Sequence, residues 1–95
     1  MVKVIAKFFV KEDKVEEFLK LANVLVEESR KEAGCVSYNL LQDVSNPQTL
    51  IMVEEWESAK ILKTHMASAH FTSIIPEMSL LQFQKEEITV CKNVF

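Results

Sequence analysis

A ferredoxin-like α+β fold is what the sequence predicts, an antiparallel sheet laid down in the order βαββαβ with its helices on one face. Three observations predict it. Val2, Val4, Ala6, Phe8 and Val10 alternate with Lys3, Ile5, Lys7 and Phe9 at the two-residue period of a strand. Val15, Phe18, Leu19, Ala22, Leu25, Val26 and Ser29 then recur at helical spacing in one continuous stripe. Two further strand-like runs, a second helical stretch and a last strand follow without repeats, low-complexity tracts or a linker, which predicts one domain over residues 1–95.

Each element has its own signal. Asp13-Lys14-Val15-Glu16 has the Asp-x-x-Glu spacing of a capping box and predicts a helix start there. Arg30 and Lys31 suit the negative end of the helix dipole, and Gly34, the one glycine, predicts a left-handed stop. Cys35 to Gln42 reads as a second strand with Val36, Tyr38 and Leu40 on one face. Asp43 to Gln48 predicts the turn, and Thr49 to Glu57 the returning strand. Leu50, Met52, Glu54 and Trp56 share one of its faces, and Ile51, Val53, Glu55 and Glu57 the other. Ser58 predicts the cap of a helix that aligns Ile61, Leu62, His65 and Met66. Ser68 starts a further helical turn carrying Phe71, Ile74 and Ile75, which Pro76 is expected to interrupt. The last strand is expected from Phe83 to Val90, continuing irregularly to Phe95. The strands carry apolar residues on both faces while the helices cover one, so face-to-face pairing of two copies, a homodimer, is predicted.

Composition narrows the function. A net charge of -3 with interspersed signs lacks the basic stripe that phosphate-backbone contacts need, so no nucleic-acid partner is expected. The longest apolar run is the four residues Leu50 to Val53, too short for a membrane span. The lysine-interrupted N-terminus lacks the apolar core of a signal peptide, so a cytoplasmic location is expected. One glycine excludes dinucleotide fingerprints, and one arginine, Arg30, weighs against a dedicated phosphate site. Cys35 and Cys91 are too few and too distant to set a disulfide framework or a metal site. No metal is expected at the histidines either. His65 and His70 are five apart, whereas ligands on one helix face stand three or four apart, and no Cys or Asp lies between them.

Chemistry concentrates between Glu54 and Phe71, which hold the only tryptophan and both histidines. His65 shares the inward stripe of Ile61 and Leu62, where an imidazole serves either as a general base or as a core group bonded to a backbone carbonyl. His70, near a helix start, is a pocket candidate or a surface residue. Trp56 closes a strand as a pocket wall whose indole N–H can reach a ligand oxygen, and the lone Tyr38 needs a partner for its hydroxyl if buried. Glu54 shares a face with Met52 and Trp56; on the covered face it must be paired or protonated, and on the open face it is ordinary.

The segments Val-Ile-Ala-Lys-Phe at the start, Glu-Ala-Gly-Cys-Val-Ser-Tyr at 32–38, Glu-Glu-Trp-Glu-Ser at 54–58 and His-Met-Ala-Ser-Ala-His-Phe at 65–71 resemble the antibiotic biosynthesis monooxygenase family, closest to its quinol-monooxygenase-like branch. The resemblance implies a homodimeric α+β barrel with one pocket per subunit between sheet and helices. It implies oxygenation of a quinol, phenol or similar small aromatic without metal, flavin or other cofactor. Trp56, His65 and His70 match the branch pattern as pocket residues. Two positions depart: Met52 stands where the polyketide-oxidising branch has asparagine, and Ile75 where the haem-degrading branch has its axial histidine. His65 is then the expected base, with Trp56 and Tyr38 shaping and polarising the pocket. A non-catalytic metabolite-binding dimer and an isomerase of a small phosphorylated sugar are the alternatives.

Overall fold

The alternation along residues 2–10 becomes a strand in the computed structural model, which describes residues 1–95. Strand β1 (Val2–Val10) is followed by a 3-10 turn (Glu12–Lys14), helix α1 (Val15–Arg30), strands β2 (Cys35–Asp43) and β3 (Asn46–Trp56), helices α2 (Ala59–Met66) and α3 (Ala69–Ser79), and strand β4 (Gln82–Cys91). The sheet runs β2-β3-β1-β4 and every pair is antiparallel. The predicted α+β fold is therefore the observed one.

Register fixes the faces. Val4 pairs with Glu54 and Ala6 with Met52 across β1 and β3, so the strand residues aimed at the helices form one row of alternate positions. Phe8, Leu50, Met52 and Trp56 from that row meet Phe18, Ala22 and Leu25 of α1 and Met78 of α3 in the core. The Phe8 and Phe18 rings lie 5.4 Å apart at a tilted angle. The larger of these side chains, Ala22 aside, contribute on the order of 1.5–3 kcal/mol apiece before entropy is charged against them. Helix α1 packs on β2 and α3, while α2 packs on β3 and α3. Edge strand β4 meets α3 but is only partly covered by it. Ile88 and Val90 pair with Ala6 and Val4 on the helix side of the sheet, yet both stay exposed.

Four local readings are corrected. The capping box is not made: residues 12–14 form the 3-10 turn, and Lys14 caps α1 without a side-chain hydrogen bond. Val36 leaves the Tyr38 face because a bulge lies between Cys35 and Ser37, and it is exposed. The hairpin turn shrinks to Val44-Ser45, since Asn46 already pairs with Asp43. Pro76 does not end the helix but sits inside α3. Its missing N–H would have served the carbonyl of Thr72, an exposed residue whose carbonyl water can satisfy. No helix is long and apolar enough to cross a membrane.

Candidate active site

Three chain segments meet at the end of the sheet where β2 starts and β3 stops. The first is the α1–β2 turn. Gly34 adopts φ +86°, and a Cβ there would stand 2.7 Å from Ile61 Cγ2 on α2. Only glycine gives both that backbone and that approach without strain. Its carbonyl accepts from Glu57 N at 2.9 Å, pinning the turn to the end of β3. Glu32, two residues earlier, is thereby set against α2.

The second segment is the junction of α2 and α3. Ser58 caps α2 by accepting from Ile61 N, and Ser68 caps α3 by accepting from Phe71 N. The Ser68 hydroxyl also donates to the His65 carbonyl at 2.6 Å, tying the last turn of α2 to the first of α3. Because the helix breaks there, His65 and His70 stand on different helices with ring centroids 6.0 Å apart. The five-residue spacing, which argued against a shared ligand on one helix, does not apply across that break.

Both imidazoles converge on one atom. Glu32 Oε2 lies 2.6 Å from His65 Nδ1 and 2.9 Å from His70 Nε2. A carboxylate oxygen only accepts, so each ring presents an N–H to it. In a neutral His65 the proton then sits on Nδ1 and the lone pair on Nε2. That Nε2 is buried and has no hydrogen-bond partner. Burial, the larger effect, lowers the His65 pKa against its bond to Glu32, which raises it. The result is a neutral imidazole with an available lone pair.

The third segment is β3. Glu54 Oε1 stands 4.0 Å from His65 Nε2 and accepts from Trp56 Nε1–H at 2.9 Å. Glu54 lies on the covered face at 6% exposure. Burial pushes its pKa up to about 7, with the Trp56 N–H opposing and Glu32 reinforcing. Below about pH 7 a protonated carboxyl thus faces a neutral imidazole. Tyr38, also buried beside Glu54, is raised well above the ordinary phenol value by burial and remains a neutral donor.

These groups form one end of a partly open apolar pocket between sheet and helices. His65, Tyr38, Met52 and Glu54 line it, together with Phe71 and Leu62, and Ile88 and Val90 of β4 stand on its wall. The His65 ring packs against Trp56 at 4.4 Å, Phe71 at 5.1 Å and Tyr38 at 5.4 Å between centroids, which fixes its orientation. Two candidates fall outside the lining. Trp56 stacks behind His65 and has given its only N–H to Glu54, so it is not free for a ligand oxygen. His70 is outside because it bonds Glu32 on the far side of the His65 ring.

Glu32 is the residue that sequence reasoning missed. The one available signal was its place beside the lone glycine, in the turn that leads into Cys35, the residue paired with Trp56. Glu32, His65 and His70 offer ligand atoms within 4.8 Å of one another, a set able to hold a metal ion. The two cysteines are free and unpaired, and burial pushes the Cys35 thiol up, away from a nucleophilic thiolate.

Comparison with known proteins bears on the fold and the family. The sequence profile described as antibiotic biosynthesis monooxygenase matches residues 1–77. YcnE of Bacillus subtilis, which carries a monooxygenase name, is 39% identical over 66 residues, 70% of this chain and 70% of its own. A conserved protein from Methanosarcina mazei superposes with TM-score 0.94 at 40% identity over 96% of this chain and 90% of that one. A crystal structure of an antibiotic biosynthesis monooxygenase superposes with TM-score 0.95 at 34% identity over 99% of each chain. The chain belongs to the antibiotic biosynthesis monooxygenase family.

Proposed function

We propose that this chain oxidises a quinol, phenol or similar small aromatic with O2 without a cofactor, as a homodimer, with His65 Nε2 as the general base. The family and the relatives' names supply the monooxygenase-like class. One observation carries the rest: an imidazole whose Nδ1 is anchored by Glu32 and whose buried Nε2 has no partner belongs to a residue lining an apolar pocket.

The chemistry follows from what such a pocket can do. The phenolic O–H gives its proton to Nε2, and Glu32 stabilises the imidazolium that forms. A phenol of pKa about 10 facing even an ordinary imidazole of about 6.5 makes this transfer unfavourable by roughly 5 kcal/mol, and the lowered pKa of His65 widens the gap. A neutral Glu54 carboxyl next to Nε2 is suited to donate to the phenolate oxygen, the role the committed Trp56 N–H cannot fill. The phenolate then transfers electrons to O2. The pocket's apolar wall keeps water from competing. For a quinol with a ring C–H, one oxygen atom forms the new C–O bond. The other leaves as water with the two remaining hydrogens, including the proton held by His65.

Homodimer formation rests on the outer face of the sheet. Ile5 and Val53 pair there across β1 and β3, and the Phe9 and Phe83 rings lie 6.3 Å apart. An open sheet face of this character is apolar enough to seek a second copy.

Oxygen uptake with a panel of benzoquinols and naphthoquinols tests the activity. His65→Gln is expected to lower the rate at least tenfold, as loss of a general base does. An unchanged rate in that variant, or no uptake by the native chain with any member of the panel, rejects the reading. Saturable binding without uptake assigns the pocket to ligand binding instead.

A further inference from the structure

We infer that Glu32, His65 and His70 form a binding site for a divalent transition-metal ion of the zinc class, and that filling it converts His65 Nε2 from proton acceptor to proton donor. The second half rests on the base role proposed for His65. The first half stands without it.

The donor set is one carboxylate and two imidazoles, drawn from the α1–β2 turn, α2 and α3. Oxygen and imidazole nitrogen without thiolate suit zinc, cobalt(II), nickel(II) and copper(II) rather than magnesium or calcium. At present the trio is closed by the two contacts of 2.6 and 2.9 Å on Glu32 Oε2. Ligands around one zinc at about 2.0–2.1 Å stand about 3.3 Å apart, so Oε2 must withdraw from both nitrogens by about half an ångström. The two imidazole nitrogens, which lie within 4.8 Å of each other, must adjust to the same spacing. Glu32 lies in the turn between α1 and β2, outside any helix or strand, where that movement disturbs no backbone ladder. The Glu32 and His70 side chains are 16% and 19% exposed while His65 is 1% exposed. An ion therefore enters from solvent on the Nδ1 side of the His65 ring and does not pass through the pocket.

Tautomer exchange links the site to the pocket. Without metal, His65 carries its one ring proton on Nδ1 and donates it to Glu32. With metal, Nδ1 gives its lone pair to the ion and the ring proton resides on Nε2, so His65 neither gains nor loses a proton overall. Nε2–H then points into the region of Glu54 Oε1, 4.0 Å away, and the orphaned nitrogen acquires a partner to approach. It can no longer accept a substrate proton. The ion acts from behind the ring, as an inhibitor that never touches substrate.

Cobalt(II) and zinc added to the chelator-treated full chain test both halves. One equivalent of cobalt per chain is expected to bind, with the visible absorption of a low-coordinate site, and zinc to displace it. Glu32→Gln and His70→Gln each remove a direct ligand and are expected to weaken binding by at least the roughly tenfold to hundredfold that loss of an outer-shell partner costs. Nitrogen-15 spectra are expected to show His65 protonated on Nε2 in the zinc-loaded protein, and zinc to suppress quinol oxidation in the native chain far more than in His70→Gln. Absence of saturable cobalt binding, or binding that survives both substitutions, overturns the site. Zinc binding that leaves Nε2 unprotonated, or turnover unchanged, overturns the switch. A zinc-free chain without any quinol oxidation defeats the proposed activity instead, and the cobalt and nitrogen-15 results still decide the site.

Discussion

Glu54 shows how a single residue carries pH information. Burial raises its pKa from 4.5 to about 7, so between those values the folded chain keeps a proton that the unfolded chain has released. Stability from this group is complete below pH 4.5 and is lost as pH rises through about 7. The difference amounts to about 3 kcal/mol at most. Glu54→Gln, which keeps an oxygen for Trp56 N–H, removes this slope. Thermal melts should show the variant gaining on the native chain between pH 4 and pH 8, and parallel melting curves across that range would contradict the buried neutral carboxyl. If the neutral carboxyl holds the phenolate, quinol oxidation loses rate above about pH 7, and Glu54→Gln flattens that alkaline limb. The acid limb belongs to His65, whose lowered pKa keeps Nε2 unprotonated through 6.5 and puts the fall in rate below it. His65, Tyr38, Met52 and Glu54 were legible as candidates from residue type and strand or helix phase, but phase alone left open whether the Met52, Glu54 and Trp56 face is the covered one, which the packing of the helices decides. Glu32 was not, because nothing local distinguishes it from other surface glutamates. Only the glycine-permitted approach of its turn to α2 makes it a partner of His65.

Elements were legible where a period repeats and illegible where it does so once. β1, the α1 stripe and the inward row of β3 are each fixed by several consecutive periods, and the Ser58 and Ser68 caps form as their positions suggest. The unmade capping box, the bulge at Val36 and the internal Pro76 depend on single residues, for which neighbouring contacts outweigh local preference. Two elements-level changes probe the site. Gly34→Ala forces a Cβ to 2.7 Å from Ile61 Cγ2 at a positive φ, and should cost about 1–3 kcal/mol by denaturant unfolding. It should also lower quinol oxidation by displacing Glu32 from His65. Ser68→Ala removes the α3 cap and the tie to the His65 carbonyl, and should cost about 1 kcal/mol. A Gly34→Ala protein of native stability and activity would show that the close turn does not position the carboxylate.

At the scale of the whole molecule, one side of the sheet is covered by helices and the other is not. The outer rows mix Ile5, Ile51 and Val53 with Lys3, Lys7 and Glu55, and Lys3 Nζ lies 3.9 Å from Glu55. Exposed Leu41 and Phe83 extend the apolar part of that face toward its two edges. Lysine at both Ile5 and Val53, which are cross-strand neighbours, should split a homodimer into subunits in sedimentation equilibrium, with little change in the helix-side core. A native chain that sediments as one subunit at every concentration would remove the dimer. It would leave the His65 pocket standing, because every group bonded within it comes from one chain.

Nitrogen-15 NMR of the histidine rings in metal-free protein at neutral pH reads the decisive atom directly. A neutral His65 with its proton on Nδ1 and a bare Nε2, reverting to a mixture of tautomers in Glu32→Gln, is the expected spectrum. A proton on Nε2 in the native chain, or an imidazolium at that pH, would mean that the pocket contains no base and that the oxidation must be driven by some other group.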